Sequence, residues 1–274
     1  MVKTIRYTFV SMLVFLSTFS ILSAQDDSLF TLQKNIPGNI SSFAVDNLEN
    51  LYILNGSGQL KKLTEKGDSL AVFNNVKKYG EATLIDVSNP LKILLYYRDF
   101  STVVVLDRLL NMRTAIDLRK TDILQAGTVA LSYDSKIWVY DEVQNKLKKI
   151  DDEGKLLLET PDFRLLFNQT AQPQNIFDQD KLVYLYDSIQ GFFVFDYYGA
   201  LKNKILITKW RHVKIVGKYI YGTDDAFIYR YNITTFRYDK WPIPAAIAGA
   251  RKIYFTANRL YVLNDQGINV YGFR

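Results

Sequence analysis

One histidine, His212, and no cysteine occur in the 274 residues of this chain, and that inventory narrows the chemistry before any fold is considered. A nucleophilic triad needs a base beside a serine or cysteine, and a single imidazole leaves one position for it. No Gly-x-Ser-x-Gly, no glycine-rich phosphate loop and no paired-histidine metal motif is found. Zinc or haem held by histidine is therefore disfavoured, and no cofactor and no catalytic residue is expected. An oxygen-only calcium site or a carboxylate pair stays open, because spacing along one chain does not exclude ligands gathered from separate segments.

Two series of polar residues remain. Asn55, Asp99, Asp141, Asp187, Asp224 and Asn264 each follow a short apolar run. Asx side chains at such places bond their own backbone to shape turns; the sharper reading is a ring of acceptors for a cation or a sugar. The second series is basic: Lys34, Lys77, Lys78, Arg119, Lys120, Arg164, Lys209, Arg211, Arg251 and Lys252 fall in the segments that join one apolar group to the next. Between Asp196 and Asp224 there is no acidic residue, while Lys202, Lys204, Lys209, Arg211, Lys214 and Lys218 accompany Trp210 and His212. Solvated loop charge is the plain reading. If these groups converge, they make a field for an acidic partner or an anionic glycan. The candidate binding set is Glu81, Arg119, Arg164, Trp210, Arg211, His212 and Arg251, with His212 aligned by repeat position to Ser41, Glu81, Gly127, Pro173 and Arg251.

The elements that must position these residues are legible as a repeat. Leu51-Tyr52-Ile53-Leu54, Ile93-Leu94-Leu95-Tyr96, Ile137-Trp138-Val139-Tyr140, Leu182-Val183-Tyr184-Leu185, Ile220-Tyr221 and Leu260-Tyr261-Val262-Leu263 begin 42, 44, 45, 38 and 40 residues apart. A period near forty with several short strands per unit is the mark of a propeller blade. The first unit reads as strands at 42–46, 51–54, 59–63 and 69–73, joined by Asn/Gly-rich turns. Second strands are apolar on both faces, whereas several third strands, such as Leu147-Lys148-Lys149-Ile150, alternate and are expected to be half exposed. Tyr52, Trp138, Tyr184, Tyr221 and Tyr261 recur at one repeat position and are assigned to packing between blades. The connection 161–174 carries Phe163, Leu165, Leu166 and Phe167, too apolar for a free loop, and is expected to form a short helix over the rim or a plug between blades.

The sixth unit runs out of chain after three strands, and Leu29-Phe30-Thr31-Leu32-Gln33 belongs to no other unit. That segment is the expected fourth strand, closing the ring and removing a sheet edge. The fold class is thus all-β, a six-bladed β-propeller of four-stranded antiparallel blades over residues 29–274. The phrase x-Leu-Tyr-Ile-Leu, then Asn/Asp-x-x-Gly and Leu-x-x-Leu, clearest at 50–63, 136–150 and 259–271, resembles the exported six-bladed propellers with NHL-type or TolB-like repeats. The resemblance is one of repeat architecture, and no catalytic motif travels with it.

Residues 1–24 read as a secretory signal peptide: Lys3 and Arg6, an uncharged stretch over 7–22, and Leu22-Ser23-Ala24 at the cut. A largely apolar stretch of sixteen residues falls short of the roughly 20 a spanning helix needs. With no cysteine, neither an N-terminal lipid nor a disulfide forms, so burial alone must hold the exported domain. Loss of Lys3 and Arg6 takes the formal charge from +6 to +4, too little to imply nucleic acid. The expectation is a periplasmic or secreted, non-catalytic binding or scaffold propeller that engages an envelope protein or glycan through its channel-side rim and does not span a membrane once mature. The rival is a metal-assisted hydrolase or lactonase of the same shape.

Overall fold

The computed structural model describes residues 30–273; the expected signal peptide lies outside the described residues. β1 (Phe30–Pro37) is followed by a first blade of β2 (Ile40–Val45), β3 (Leu51–Asn55), β4 (Leu60–Leu63) and β5 (Ser69–Phe73). The helical turn α1 (Val76–Tyr79) leads to β6 (Leu84–Asn89), β7 (Lys92–Tyr97), β8 (Thr102–Asp107) and β9 (Met112–Asp117). The third blade holds β10 (Ala126–Leu131), β11 (Ile137–Asp141), β12 (Lys146–Ile150) and β13 (Leu156–Glu159). After α2 (Phe163–Phe167) come β14 (Asn175–Gln179), β15 (Leu182–Asp187), β16 (Gly191–Asp196) and β17 (Leu201–Ile205). The fifth blade is β18 (Arg211–Val216), β19 (Tyr219–Thr223), β20 (Phe227–Asn232) and β21 (Tyr238–Pro242). β22 (Lys252–Phe255), β23 (Arg259–Asn264) and β24 (Gly267–Phe273) complete the chain.

Each blade is an antiparallel meander, because turns of a few residues join neighbouring strands and leave no length for a crossover. The first strands of successive blades, β2, β6, β10, β14, β18 and β22, touch in a closed cycle, β22 meeting β2. They wall a central channel. The sixth sheet has the order β1-β24-β23-β22, so the amino-terminal strand is its outer edge. Pairing runs from Phe30 with Phe273 to Pro37 with Gly267, with a bulge between Leu32 and Lys34. The donor strand is thus four residues longer at its carboxyl end than the Leu29-to-Gln33 segment expected.

Burial between blades supplies the stability. Six apolar clusters fill the six gaps, and the repeated aromatic of each second strand reaches the blade that follows. Tyr52 packs with Ile93 and Leu95, Trp138 with Val183 and Phe193, Tyr184 with Ile220, Tyr221 with Phe255, and Tyr261 with Phe43. Each such side chain contributes about 1.5–3 kcal/mol by leaving water. α2 acts in the same way: Phe163 is buried against Tyr140, Phe193 and Phe195, plugging the gap between blades three and four, while Leu165 stays exposed.

The third strands correct the expectation of half exposure. Lys62, Lys148 and Lys149 are buried. Lys148 Nζ meets Asp141 Oδ2 at 2.8 Å, Lys149 Nζ lies 5.0 Å from the Trp138 ring centroid, and Lys62 Nζ lies 5.0 Å from that of Tyr52. The neighbouring blade covers both faces of the sheet, and the alternating lysines are accommodated by pairing and by aromatic faces. Among the described residues no helix is long and apolar enough to cross a membrane.

Candidate functional site

The channel contains a cavity of about 370 Å³, within the size range of small-molecule sites. The first strands of all six blades line it, and its lining includes Asp86, Asp178, His212, Lys214 and Lys252. Innermost strands place every second side chain against a neighbouring blade, so a charged residue set between apolar ones on such a strand faces the channel or the seam beside it.

The two carboxylates are already committed. Asp86 Oδ2 accepts from the Leu131 amide at 2.7 Å and Oδ1 from the Ser88 amide at 2.8 Å. Asp178 accepts from Ser132 Oγ at 3.0 Å, Trp138 Nε1 at 2.9 Å and the Tyr197 hydroxyl at 2.8 Å. Both tie their own blade to the third, as struts rather than ligands.

The two lysines are differently placed. Lys252 Nζ donates to Ser42 Oγ at 3.0 Å and to the Phe43 carbonyl at 2.7 Å, crossing from the last blade to the first. Lys214 Nζ lies 4.8 Å from the Tyr254 ring centroid, and the Tyr254 hydroxyl donates to the Val45 carbonyl at 2.9 Å. Among the described residues neither ammonium has a carboxylate within ion-pair distance. Burial, then the charge of Lys214, pulls the Lys252 pKa down to about 8. Burial also acts against charge on Lys214, but the Tyr254 oxygen and the Asp86 carboxylate outweigh it and hold this group above its ordinary value. One half-buried amine is therefore poised to lose its proton more readily than another that keeps it.

His212 completes this wall. Its Nδ1 is 2.9 Å from Thr223 Oγ1, and its backbone takes a left-handed φ of 53° at a bulge in β18. Burial lowers its pKa; the Arg251 carbonyl opposes this, while the charges of Arg211 and Lys252 reinforce it. The ring is neutral near pH 7 and anchored, a shaped wall rather than a second cation.

Of the seven candidate residues, only His212 lines the cavity. Glu81 is exposed on the connection after α1. Arg119 pairs with Asp117 at 3.0 Å, Arg164 bonds Asp162 at 2.9 Å, and Arg211 pairs with Asp225. Arg251 reaches the Ile40 carbonyl at 3.2 Å and Asp265 at 3.9 Å. The rim arginines are thus each matched by a carboxylate. Trp210 is buried, stacked on Tyr229 at 4.9 Å with its backbone bonded to the Tyr186 hydroxyl. It packs blade five against blade four.

The Asx series shapes turns. Asn55, Asp141, Asp187, Asp224 and Asn264 each accept from a backbone amide two residues on. Asp99 departs from the pattern, lying in a short 3₁₀ turn at 98–100. No group of three His, Asp or Glu side chains suited to a metal ion occurs among the described residues.

Sequence reading counted Lys214 among the lysines of the acid-free stretch 196–224 and Lys252 with the connection charge, though also as the first residue of a strand; both stand on innermost strands. The signal was present: Val213-Lys214-Ile215 and Leu84-Ile85-Asp86-Val87 set one charge inside an apolar inner strand.

No protein-family model matches the sequence, and no curated protein does. Solved structures are similar in shape. A virginiamycin B lyase from Staphylococcus aureus superposes with TM-score 0.63 at 14% identity, covering 89% of this chain and 100% of that one. A streptogramin B lyase gives 0.60 at 16%, covering 85% and 78%. A catalytically inactive His-to-Ala variant of the Staphylococcus aureus virginiamycin B lyase, with quinupristin, gives 0.58 at 16%, covering 89% and 88%. At these identities what is shared is the six-bladed fold. These neighbours are enzymes, which overturns the expectation of a non-catalytic binding or scaffold propeller; that expectation had rested on the lack of a sequence motif, a poor guide where side chains from six blades meet.

Proposed function

We propose that the chain is an exported enzyme, built on NHL-type or TolB-like repeats, that acts on a small anionic substrate inside its channel. The observation that carries this reading is the pair Lys214 and Lys252, two half-buried amines that line one cavity in which Asp86 and Asp178 are hydrogen-bonded to the third blade. Neither amine is in an ion pair with a carboxylate among the described residues, and a carboxylate or phosphate entering the cavity supplies one. Lys252 is the reactive amine, because burial and a neighbouring cation lower its pKa to about 8 and so free its lone pair at a lower pH than an ordinary lysine. Lys214 is the fixed charge that holds the anion and steadies negative charge developing on it. His212, held by Thr223, shapes the wall.

The lyase names of the structural neighbours favour bond cleavage without water as the reaction class. The test offers the mature chain a panel of small carboxylates bearing a leaving group one carbon from the acid, with product followed by chromatography. Turnover that falls by about 10²–10⁴ in Lys252→Met, with malonate binding weakened in Lys214→Met, supports the reading. No turnover on the panel and no malonate binding by calorimetry would falsify it.

A further inference from the structure

Away from the channel lining, the rim on which the first strands begin carries a patch of aliphatic side chains held out into water. Leu165 of α2, Ile189 in the turn between β15 and β16, and Leu206 just after β17 are 81%, 78% and 78% exposed. Single surface aliphatics are ordinary, but these three stand on segments bonded to one another. The Gln190 side-chain amide donates to the Thr170 carbonyl at 2.6 Å, joining the turn to the connection after α2. The Lys209 amide donates to the Ser188 carbonyl at 2.6 Å, joining the same turn to the segment that leaves β17. Leu166 and Val143 are exposed beside them, Val143 in a turn whose Asn145 carbonyl accepts from the Phe163 amide at 2.8 Å.

Local structure fixes the outward aim of each tip. Phe163 is buried, so α2 turns Leu165 to the other side. Asp187, itself buried, accepts from the Ile189 and Gln190 amides at 2.8 and 3.1 Å and from the Gln172 amide at 2.8 Å, which sets Ile189 at the head of a closed turn. Ile205 and Ile207 are both buried, and the Ile207 amide donates to the Ile205 carbonyl at 2.9 Å, a three-residue turn with Leu206 at its apex. The tips are therefore ordered before anything binds, and little entropy is left to lose. Charge accompanies them. Arg164 and Arg211 are matched by Asp162 and Asp225, whereas Lys204 and Lys209 are in no ion pair among the described residues. Lys204 Nζ lies 5.7 Å from the ring centroid of Phe167, at the end of α2, and Lys209 is exposed.

We propose that this rim is a peripheral membrane-binding surface, on which Leu165, Ile189 and Leu206 enter the interface of a bilayer while Lys204 and Lys209 meet anionic phospholipid headgroups. The charge left unmatched is positive, which complements an anionic lipid surface. The shape agrees as well: protein interfaces concentrate Tyr, Trp and Arg in a closely packed centre, whereas this patch offers separate aliphatic tips that suit a soft plane. Insertion of loop tips differs from spanning, and no described helix is long and apolar enough for that. The inference is independent of the chemistry assigned to the channel.

The experiment sediments the mature chain with vesicles of phosphatidylcholine alone and of phosphatidylcholine and phosphatidylglycerol in equal parts. The expected result is binding to the mixed vesicles that is weaker by about tenfold or more on phosphatidylcholine and falls as salt is raised. Ile189→Ser with Leu206→Ser lowers affinity for the mixed vesicles by about tenfold or more. Lys204→Gln with Lys209→Gln does the same, each lysine being worth about fivefold, and leaves binding to phosphatidylcholine as it was. Leu48→Ser, at an exposed position on the opposite rim, changes neither. Circular dichroism and melting temperatures establish that the variants fold. No binding to the mixed vesicles, or equal binding by parent and both double variants, overturns the proposal. Sedimentation velocity without lipid supplies the remaining arm: a dimer of this chain that Ile189→Ser with Leu206→Ser dissociates makes the patch a protein interface and overturns it too, whereas a monomer at all concentrations agrees with it.

Discussion

Lys148 and Asp141 form an ion pair of 2.8 Å with both side chains almost fully out of solvent, at 3% and 0% exposure. Asp141 also closes the turn after β11 by accepting from the Val143 and Gln144 amides, and Lys148 Nζ reaches the Asp122 carbonyl at 3.3 Å in the preceding connection. One pair thus locks a hairpin and a blade junction together. Removing the lysine leaves a carboxylate buried with its ionic partner gone. Lys148→Met is expected to cost about 3–5 kcal/mol, read by urea unfolding. The double variant Lys148→Met/Asp141→Leu should recover part of that loss, since the stranded charge goes too; an unaltered midpoint in Lys148→Met would refute the pair's role.

Ring closure by β1 predicts a global effect from a terminal deletion. Without residues 30–37, β24 becomes an open edge and the last blade has three strands. The deletion should lower the melting temperature by more than about 10 °C, each kcal/mol being worth roughly 2–4 °C at this size, and raise the tendency to associate. A truncated chain that melts like the intact mature form argues that the strand is dispensable.

Gly267 opens β24 with φ at 137° and pairs with Pro37. A Cβ there would run into the Ile36 carbonyl oxygen and come within 2.8 Å of Pro37 Cα. Both are backbone atoms, which give way only by moving the closing strand. Gly267→Ala should destabilise by roughly 1–3 kcal/mol through strain, together with faster hydrogen exchange along β1. Equal exchange in variant and parent would count against the close fit.

The pH dependence of stability follows from Lys252. Its folded pKa of about 8 lies below the ordinary lysine value, so the unfolded chain binds the extra proton between the two. Stability must therefore rise as pH climbs from about 8 towards about 10, and the penalty for burying the charged form is present in full below pH 8. Lys252→Met should flatten that rise. His212 has the same sign: its pKa is depressed by burial, so stability falls as pH drops through and below the ordinary histidine range. Denaturant midpoints measured across pH 5 to 10 check both limbs, and a parent profile that declines between pH 8 and 9.5 would contradict the assignment.

Much of the architecture was legible because a propeller blade is a local object. Leu51-Tyr52-Ile53-Leu54 and its five counterparts carry the strand signal within a few residues, and Asn55 or Asp141 shapes the next turn through its own backbone. The short sixth unit with its unclaimed partner near Phe30 pointed to closure, since an unpaired edge needs a strand from somewhere. The third strands were misread because alternation in Lys146-Leu147-Lys148-Lys149 looks like a wet face until a neighbouring blade covers it.

The chemistry of the site was not local. Arg119, Arg164, Arg211 and Arg251 look like a basic rim in one dimension, and each turns out to face a nearby carboxylate. Lys214 and Lys252 look like members of the same loop charge, yet they stand on inner strands of adjacent blades facing a shared cavity. The sequence by itself determined the period, the strand order and the closing of the ring, since these depend on contacts within forty residues and on counting strands. Only the tertiary structure decided which charges are neutralised and which face the channel unpaired, because that depends on how six separate strands are brought around one axis.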